Sequence, residues 1–194
     1  MDIRRAVITL IVGVRGYGKS KLALLKAQKA QMPYIFLDAT NTFGTRGDNK
    51  LTWTDVKEEV NQWLKIKHLK GNGALYLYAD TNAYKRLICT LWRLVELQAP
   101  LNFTLVIDEA QRYMSSAKIF APLRKLVDES RHSQLSLIFV ARRFAECHVY
   151  IRSQAEEIYT LRQSWPSDLQ IVKQLYEHPE AVKKLPRDSF IKLL

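Results

Sequence analysis

Gly13-Val14-Arg15-Gly16-Tyr17-Gly18-Lys19-Ser20 matches G-x-x-x-x-G-K-[ST] at every fixed position, and this stretch decides the fold. Its glycines let successive backbone N–H groups turn inward around a phosphate chain, and a helix beginning at Lys19 adds its positive N-terminal end. Lys19 is read as the point charge that reaches the β- and γ-phosphates, and Ser20 as the hydroxyl that ligates Mg²⁺. The nucleotide-contacting stretch is Gly13, Val14, Arg15, Gly16, Tyr17, Gly18, Lys19, Ser20 and Lys21. At average residue frequencies such a match arises by chance in roughly one chain of this length in a hundred. Its flanks make coincidence rarer still.

Residues 6–12 before the loop are apolar and rich in β-branched side chains, as in a strand covered on both faces. Arg4 and Arg5 ahead of them resemble the start of a signal peptide, but the run leads into glycines rather than a small-residue cleavage site. Residues 19–31 are rich in Ala, Leu, Lys and Gln and stop before Pro33, which predicts a helix. The alternation continues outward. Strands are predicted at 34–37, 74–79, 103–107, 135–140 and 157–161. Helices are predicted with an apolar face over 56–64 and an end before Gly71, and at 83–97, 120–129 and 149–154, with 38–50 a loop. Ser167 and Gln170 have capping-box spacing, which predicts a last helix through Tyr176. Tyr84 and Trp92 lie on the apolar stripe of their helix and are read as core. The whole describes an α/β chain with a mainly parallel central sheet flanked by helices on both faces, a single domain over 1–194.

The composition agrees. The 194 residues are 47% hydrophobic and 25% charged, with 7 Gly and 6 Pro, which excludes disordered and collagen-like chains. No run of about 18 apolar residues predicts a transmembrane helix. Cys89 and Cys147 are too few for a disulfide scaffold, and four histidines show no metal-ligand spacing. The net charge of +11 divides as +6 over residues 1–109 and +5 over 110–194, so it is spread over the body of the chain. Such a charge favours a polyanionic partner, nucleic acid or an acidic membrane surface.

A second constellation is Leu105-Val106-Ile107-Asp108-Glu109, an apolar strand ending in two carboxylates. An acid at the C-terminal end of a parallel strand projects into the crevice where open α/β sheets bind ligands. Asp108 is therefore expected to hold Mg²⁺, and Glu109 to orient and deprotonate an attacking water. Two carboxylates point to ATP hydrolysis rather than nucleotide storage. The chain has no H-E-x-x-H or G-x-S-x-G, and its loop order is not the dinucleotide-binding G-x-G-x-x-G.

The run Val106-Ile107-Asp108-Glu109-Ala110-Gln111-Arg112-Tyr113 resembles the Walker B region of the HerA/FtsK superfamily of P-loop ATPases. Glu129-Ser130-Arg131-His132 and the stretch Arg143 to Ala155 resemble that superfamily in the same order, so the likeness spans about residues 5–172. Two positions depart from its pattern: Ala141-Arg142 stands where a polar sensor is usual, and Phe144 where a proline is usual. The resemblance implies a RecA-like (ASCE) fold, ATP and Mg²⁺ as cofactors, and a hexameric or pentameric ring that threads double-stranded DNA. The small size resembles viral genome-packaging ATPases, which implies capsid or membrane vertex proteins as further partners and work in the host cytoplasm or at the virion's packaging vertex. Alternatives are a zonula-occludens-toxin-like assembly ATPase of filamentous phages, a small P-loop kinase, and a regulator that binds nucleotide without hydrolysing it. In a ring, an arginine from a neighbour can reach the γ-phosphate from its far side. Arg124, Arg131, Arg142 and Arg143 are the candidates; Arg131 is preferred in trans, and Arg142 is positioned to act in cis. Arg131 has a structural alternative as a helix cap paired with Asp128. Asp38 at the end of the second strand has no assigned role, and the basic segment 65–70 is read either as tracking DNA or as a solvated helix end.

Overall fold

The computed structural model describes residues 6–30, 33–40, 50–52, 74–78, 81–98 and 100–194. In chain order the elements are β1 (Ile8–Val12), α1 (Lys19–Lys29), β2 (Tyr34–Leu37), β3 (Lys50–Thr52), β4 (Ala74–Tyr78), α2 (Thr81–Glu96) and β5 (Phe103–Ile107). There follow α3 (Ala121–Glu129), β6 (Leu135–Ala141), α4 (Val149–Gln154), β7 (Glu157–Thr160), α5 (Pro166–Leu175), α6 (Pro179–Lys183) and β8 (Ile191–Lys192). Short 3₁₀ turns lie at Ala110–Arg112 and Phe144–Glu146.

The described strands form one sheet in the order β3-β4-β2-β5-β6-β1-β7-β8. Every pairing is parallel except β7 with β8. Successive side chains on a strand point to opposite faces, and both faces are apolar here. Leu10, Val12, Ile35, Leu37, Leu105, Ile107, Leu137 and Phe139 face one core, which α2, α3 and α4 cover. Ile11, Phe36, Val106, Ile138 and Val140 face the other, covered by Leu22, Ala23 and Ala27 of α1. That double burial is why these strands read as continuous apolar runs rather than alternating ones. Truncating one fully buried leucine such as Leu10 removes about 2–5 kcal/mol.

The expected elements at 34–37, 103–107 and 149–154 have the bounds read from the sequence, and most others shift by a residue or two. Tyr84 is fully buried with its hydroxyl donating to the Leu77 carbonyl (2.7 Å), and Trp92 lies partly buried against the core. The predicted helix at 56–64 and the basic segment 65–70 lie outside the described residues. Three readings need correction. Lys50, expected in a loop, begins the three-residue edge strand β3, too short to show any periodicity. Ser167 is not a cap: α5 begins with Pro166 after Trp165, and the Ser167 hydroxyl instead accepts from Arg143. Proline suits a first helical turn because its missing N–H has no partner there anyway. After α5 the chain forms α6 and the antiparallel strand β8, neither of which the sequence pattern predicts.

A charged staple fastens α1 to β7. Lys26 donates to Glu157 (2.8 Å) and to the Tyr159 hydroxyl, and Lys192 of β8 approaches Glu157 from the other side (3.4 Å). Partial burial alone would raise the Glu157 carboxyl, but the two lysines outweigh it and hold it below its ordinary 4.5. A depressed acid contributes stability above its unfolded value and loses it as the pH falls through the folded value. Glu157→Gln is therefore expected to destabilise the fold by up to about 1 kcal/mol at pH 7. In denaturant titrations the difference from wild type should shrink towards zero as the pH falls below the ordinary 4.5 and through the lower folded value.

Candidate active site

β1 is buried on both faces and flanked by β6 and β7, so the chain leaving Val12 emerges between the ends of two neighbours. The Gly13 N–H donates to the carbonyl of Ala141, the last residue of β6 (3.3 Å), and the Val14 N–H to the Arg162 carbonyl after β7 (3.0 Å). Gly13 has to be glycine, because a Cβ there would lie 2.7 Å from Leu161 Cβ. Gly18 precedes α1 at φ +93°, in the left-handed region that glycine enters without steric cost. The loop ends at Lys19 and Ser20, the first residues of α1, so the helix N-terminus opens directly onto it.

The next parallel strands bring the rest of the site to the same edge. Asp108 follows β5 and is 4% exposed. Its Oδ2 accepts from the Ser20 hydroxyl (3.1 Å) and its Oδ1 from the Glu109 N–H (2.9 Å). Burial pushes the Asp108 carboxyl up to about 6, against the downward pull of those two hydrogen bonds, and Glu109 and Asp38 add to the rise. Burial also lowers the Lys19 ammonium, while Asp108 and Glu109 pull it back up. Lys19 Nζ donates to the Val14 carbonyl across the loop (3.1 Å).

Glu109 adopts φ +53°, ψ +44°, a left-handed conformation that costs a non-glycine residue roughly 1 kcal/mol or more. Its carboxylate is forked by Arg142 at the end of β6, with Nη2 at 2.6 Å and Nε at 3.2 Å, and also accepts from Gln111 Nε2. Arg15, Gly16, Gly18, Lys19, Ser20, Lys21, Thr40, Asp108, Glu109 and Asp188 line one cavity of about 490 Å³. Asp38, directly after β2, is 1% exposed, its Oδ1 accepting from the N–H and hydroxyl of Thr40, which lines the cavity.

The sequence-predicted residues Lys19, Ser20, Asp108, Glu109 and Arg142 thus converge. Arg131 does not join them. It lies before β6, at the opposite edge of the sheet from its own P-loop, and its partner is Glu156 (3.3 Å) rather than Asp128. Arg143 is occupied by the buried Asp168 (3.1 Å) and by Ser167 (2.9 Å), and stacks on Trp165. Arg124 is exposed over the Tyr150 ring. Sequence reasoning missed Gln111, which reaches Glu109 only because the 3₁₀ turn tightens the chain. It also missed Asp188, which carries no motif and lies 169 residues beyond Lys19.

Mg²⁺ fits this chemistry. It takes hard oxygen ligands and usually only one or two from protein. Ser20 and Asp108 supply a hydroxyl and a carboxylate 3.1 Å apart, the hard oxygen donors that such a cation takes.

The fold and site define a P-loop NTPase with a RecA-like parallel sheet. Residues 3–146 match the AAA domain family, and the chain belongs to it. No curated protein sequence matches. Among solved structures the chain is similar to the genome packaging NTPase B204 from Sulfolobus turreted icosahedral virus 2 in complex with ATP-gammaS. That likeness has 19% identity and a TM-score of 0.70, covering 99% of this chain and 92% of that one. The pCW3 conjugation coupling protein TcpA is similar at 13% identity and TM-score 0.61, covering 99% of this chain and 58% of that one. The N-terminal domain of zonular occludens toxin from Neisseria meningitidis is similar at 15% identity and TM-score 0.50, covering 83% and 79%.

Asp108→Asn is expected to separate function from stability. The amide oxygen can still accept from the Glu109 N–H while its NH2 donates to the Ser20 hydroxyl oxygen, and the change removes a charge that burial penalises, so the protein without nucleotide should gain about 1–3 kcal/mol at pH 7. Mg²⁺-dependent protection against thermal unfolding in the presence of nucleotide should disappear in the same variant. A thermal-shift series with and without Mg²⁺ checks both.

Proposed function

We propose that the protein is an ATP-hydrolysing double-stranded DNA translocase that packages a viral genome. The observation that carries the reading is the convergence of Lys19, Ser20, Asp108 and Glu109 on one cavity at the C-terminal edge of the sheet. Its support from the comparisons is the extended likeness to a genome packaging NTPase. In this reading Lys19 exchanges the Val14 carbonyl for phosphate oxygens, and the loop amides hold the phosphate chain. Mg²⁺ held by Ser20 and Asp108 would neutralise charge on the β- and γ-phosphates. Glu109 accepts the proton of the attacking water. Arg142 pairs with Glu109, and a move to an incoming γ-phosphate would release that carboxylate to act as base.

The net charge of +11 and the exposed Arg86, Arg93, Lys118, Arg124 and Lys125 on and beside α2 and α3 support contact with backbone phosphates rather than base edges. A homo-oligomeric ring, hexamer or pentamer, would enclose the duplex. It would dock on capsid or membrane vertex proteins and work in the host cytoplasm and at the packaging vertex. The chain would serve as a single ATPase domain. No described helix is long and apolar enough to cross a membrane. Arg131 is proposed as the finger acting in trans: its side chain is exposed and away from its own phosphate loop, and it would leave Glu156 to reach a neighbour's site. A second reading is a filamentous-phage assembly ATPase, supported by the likeness to zonular occludens toxin.

Phosphate release measured with and without double-stranded DNA tests the proposal. Stimulation by DNA that falls steeply with salt and hardly varies with sequence is expected; indifference to DNA would favour the assembly ATPase. Lys19→Ala should abolish turnover. Glu109→Gln should still bind ATP while hydrolysing it roughly 10²–10⁴ times more slowly. Mixing Lys19→Ala with Arg131→Ala protein should restore part of the activity that each lacks alone. No recovery in mixtures shown to co-assemble removes Arg131 as the finger.

A further inference from the structure

The sheet order gives the site two sides. β5 and β6 lie on one side of β1 and bring Asp108, Glu109 and Arg142; β7 and β8 lie on the other. On that second side the turn at 186–189, just before β8, closes against the phosphate loop. The Asp188 N–H donates to the Tyr17 carbonyl (3.3 Å). Asp188 itself stands at φ +60°. Its carboxylate lies so near the loop that a Cβ on Gly18 would fall 2.2 Å from Oδ1. Oδ2 pairs with Lys21 Nζ (3.2 Å), and both side chains are more than half exposed. Arg162, leaving β7, donates to the Tyr17 hydroxyl (2.7 Å) from the same side. Phe190 packs edge-on against Tyr159, and β8 pairs with β7, so the turn is held at its exit.

This arrangement constrains what can lie there. Glu109, the phosphate loop and Asp188 line one cavity, so a triphosphate with its γ-phosphate at Glu109 would run back over the loop and bring its nucleoside towards Asp188. A carboxylate repels phosphate, so Asp188 serves no part of the triphosphate chain. It accepts hydrogen bonds only, and of the groups a nucleoside offers, the vicinal ribose hydroxyls present two donors to one carboxylate. Lys21 pairs with the carboxylate and offsets the charge that would otherwise oppose nucleotide entry.

The geometry points to Asp188 as the ribose-reading residue of the nucleotide site, which accepts from the 2′- and 3′-hydroxyls and makes the protein selective for ribonucleotides over deoxynucleotides. The inference rests on the ATP-site reading and adds a specificity determinant from the far end of the chain. It matters for an enzyme working on DNA, because deoxynucleoside triphosphates share the polyanionic chain that the P-loop recognises.

Calorimetric titration of the full chain with ATP, 2′-deoxy-ATP, 3′-deoxy-ATP, ITP and inorganic tripolyphosphate, each with Mg²⁺, tests it. A hydrogen bond to a charged group is worth roughly 10- to 100-fold in affinity, so the wild type should bind the deoxy analogues weaker by that factor. Asp188→Gly suits the positive φ and removes the acceptor; it should weaken ATP to the level of the deoxy analogues while tripolyphosphate binds as well or better. Asp188→Asn also tolerates the left-handed turn, keeps one acceptor oxygen, and should restore part of the discrimination. Equal wild-type affinity for ATP and both deoxy analogues overturns the inference, as does unchanged discrimination in Asp188→Gly. A loss on ITP in place of the deoxy analogues assigns Asp188 to the base amine and overturns it as well. Failure of the ATP-site reading looks different: neither ATP nor tripolyphosphate binds, or Lys19→Ala leaves both affinities unchanged.

Discussion

Two backbone hydrogen bonds hold the functional end of this molecule in place. Gly13 donates to the end of β6 and Val14 to the end of β7, so the phosphate loop is pinned on both sides as it leaves the buried strand β1. A loop with several glycines would otherwise lose much conformational entropy on ordering. Here the order is inherited from a strand with no freedom of its own, since Leu10, Ile11 and Val12 are fully buried. Because β1, β5, β6 and β7 run parallel, their C-terminal ends share one edge, and every group of the nucleotide site hangs from it.

The electrostatics of that edge are poised for an anionic ligand and a cation. Asp108 is buried beyond comfort and Lys19 is partly desolvated, each improved by what the other side of a nucleotide–Mg²⁺ complex would bring. Glu109 sits in a strained backbone conformation with its carboxylate held by Arg142 and Gln111. Strain and unfavourable burial at a site persist only where surrounding structure over-determines them, and the two apolar cores on either face of the sheet supply that support. On the β7 side of the loop the Asp188 carboxylate is likewise accompanied by a cation, Lys21.

Much of this was legible in the chain itself, for reasons particular to each element. The strands at 34–37 and 103–107 are buried on both faces and so consist of uninterrupted apolar residues. The helix at 149–154 lies between clear boundaries. Short or edge elements gave no such signal: β3 has three residues and β8 two, and both depend on a neighbouring strand rather than on their own pattern. Ser167 had the spacing of a cap and went instead to Arg143, because a buried Asp168 brings that arginine to the start of α5.

The sequence by itself determined the phosphate loop, the paired carboxylates and the α/β order, because each is a local pattern: fixed glycines, a strand ending in acids, apolar periodicity. Only the tertiary structure decided which remote groups meet them. Arg142 stands beside Glu109 because β6 adjoins β5, and Arg131 stands apart because it precedes the same strand instead of following it. Asp188 reaches Gly18 because the chain turns back antiparallel along β7 after α6. Residues separated by more than a hundred positions are brought together by strand order, and strand order leaves no mark on the local sequence that obeys it.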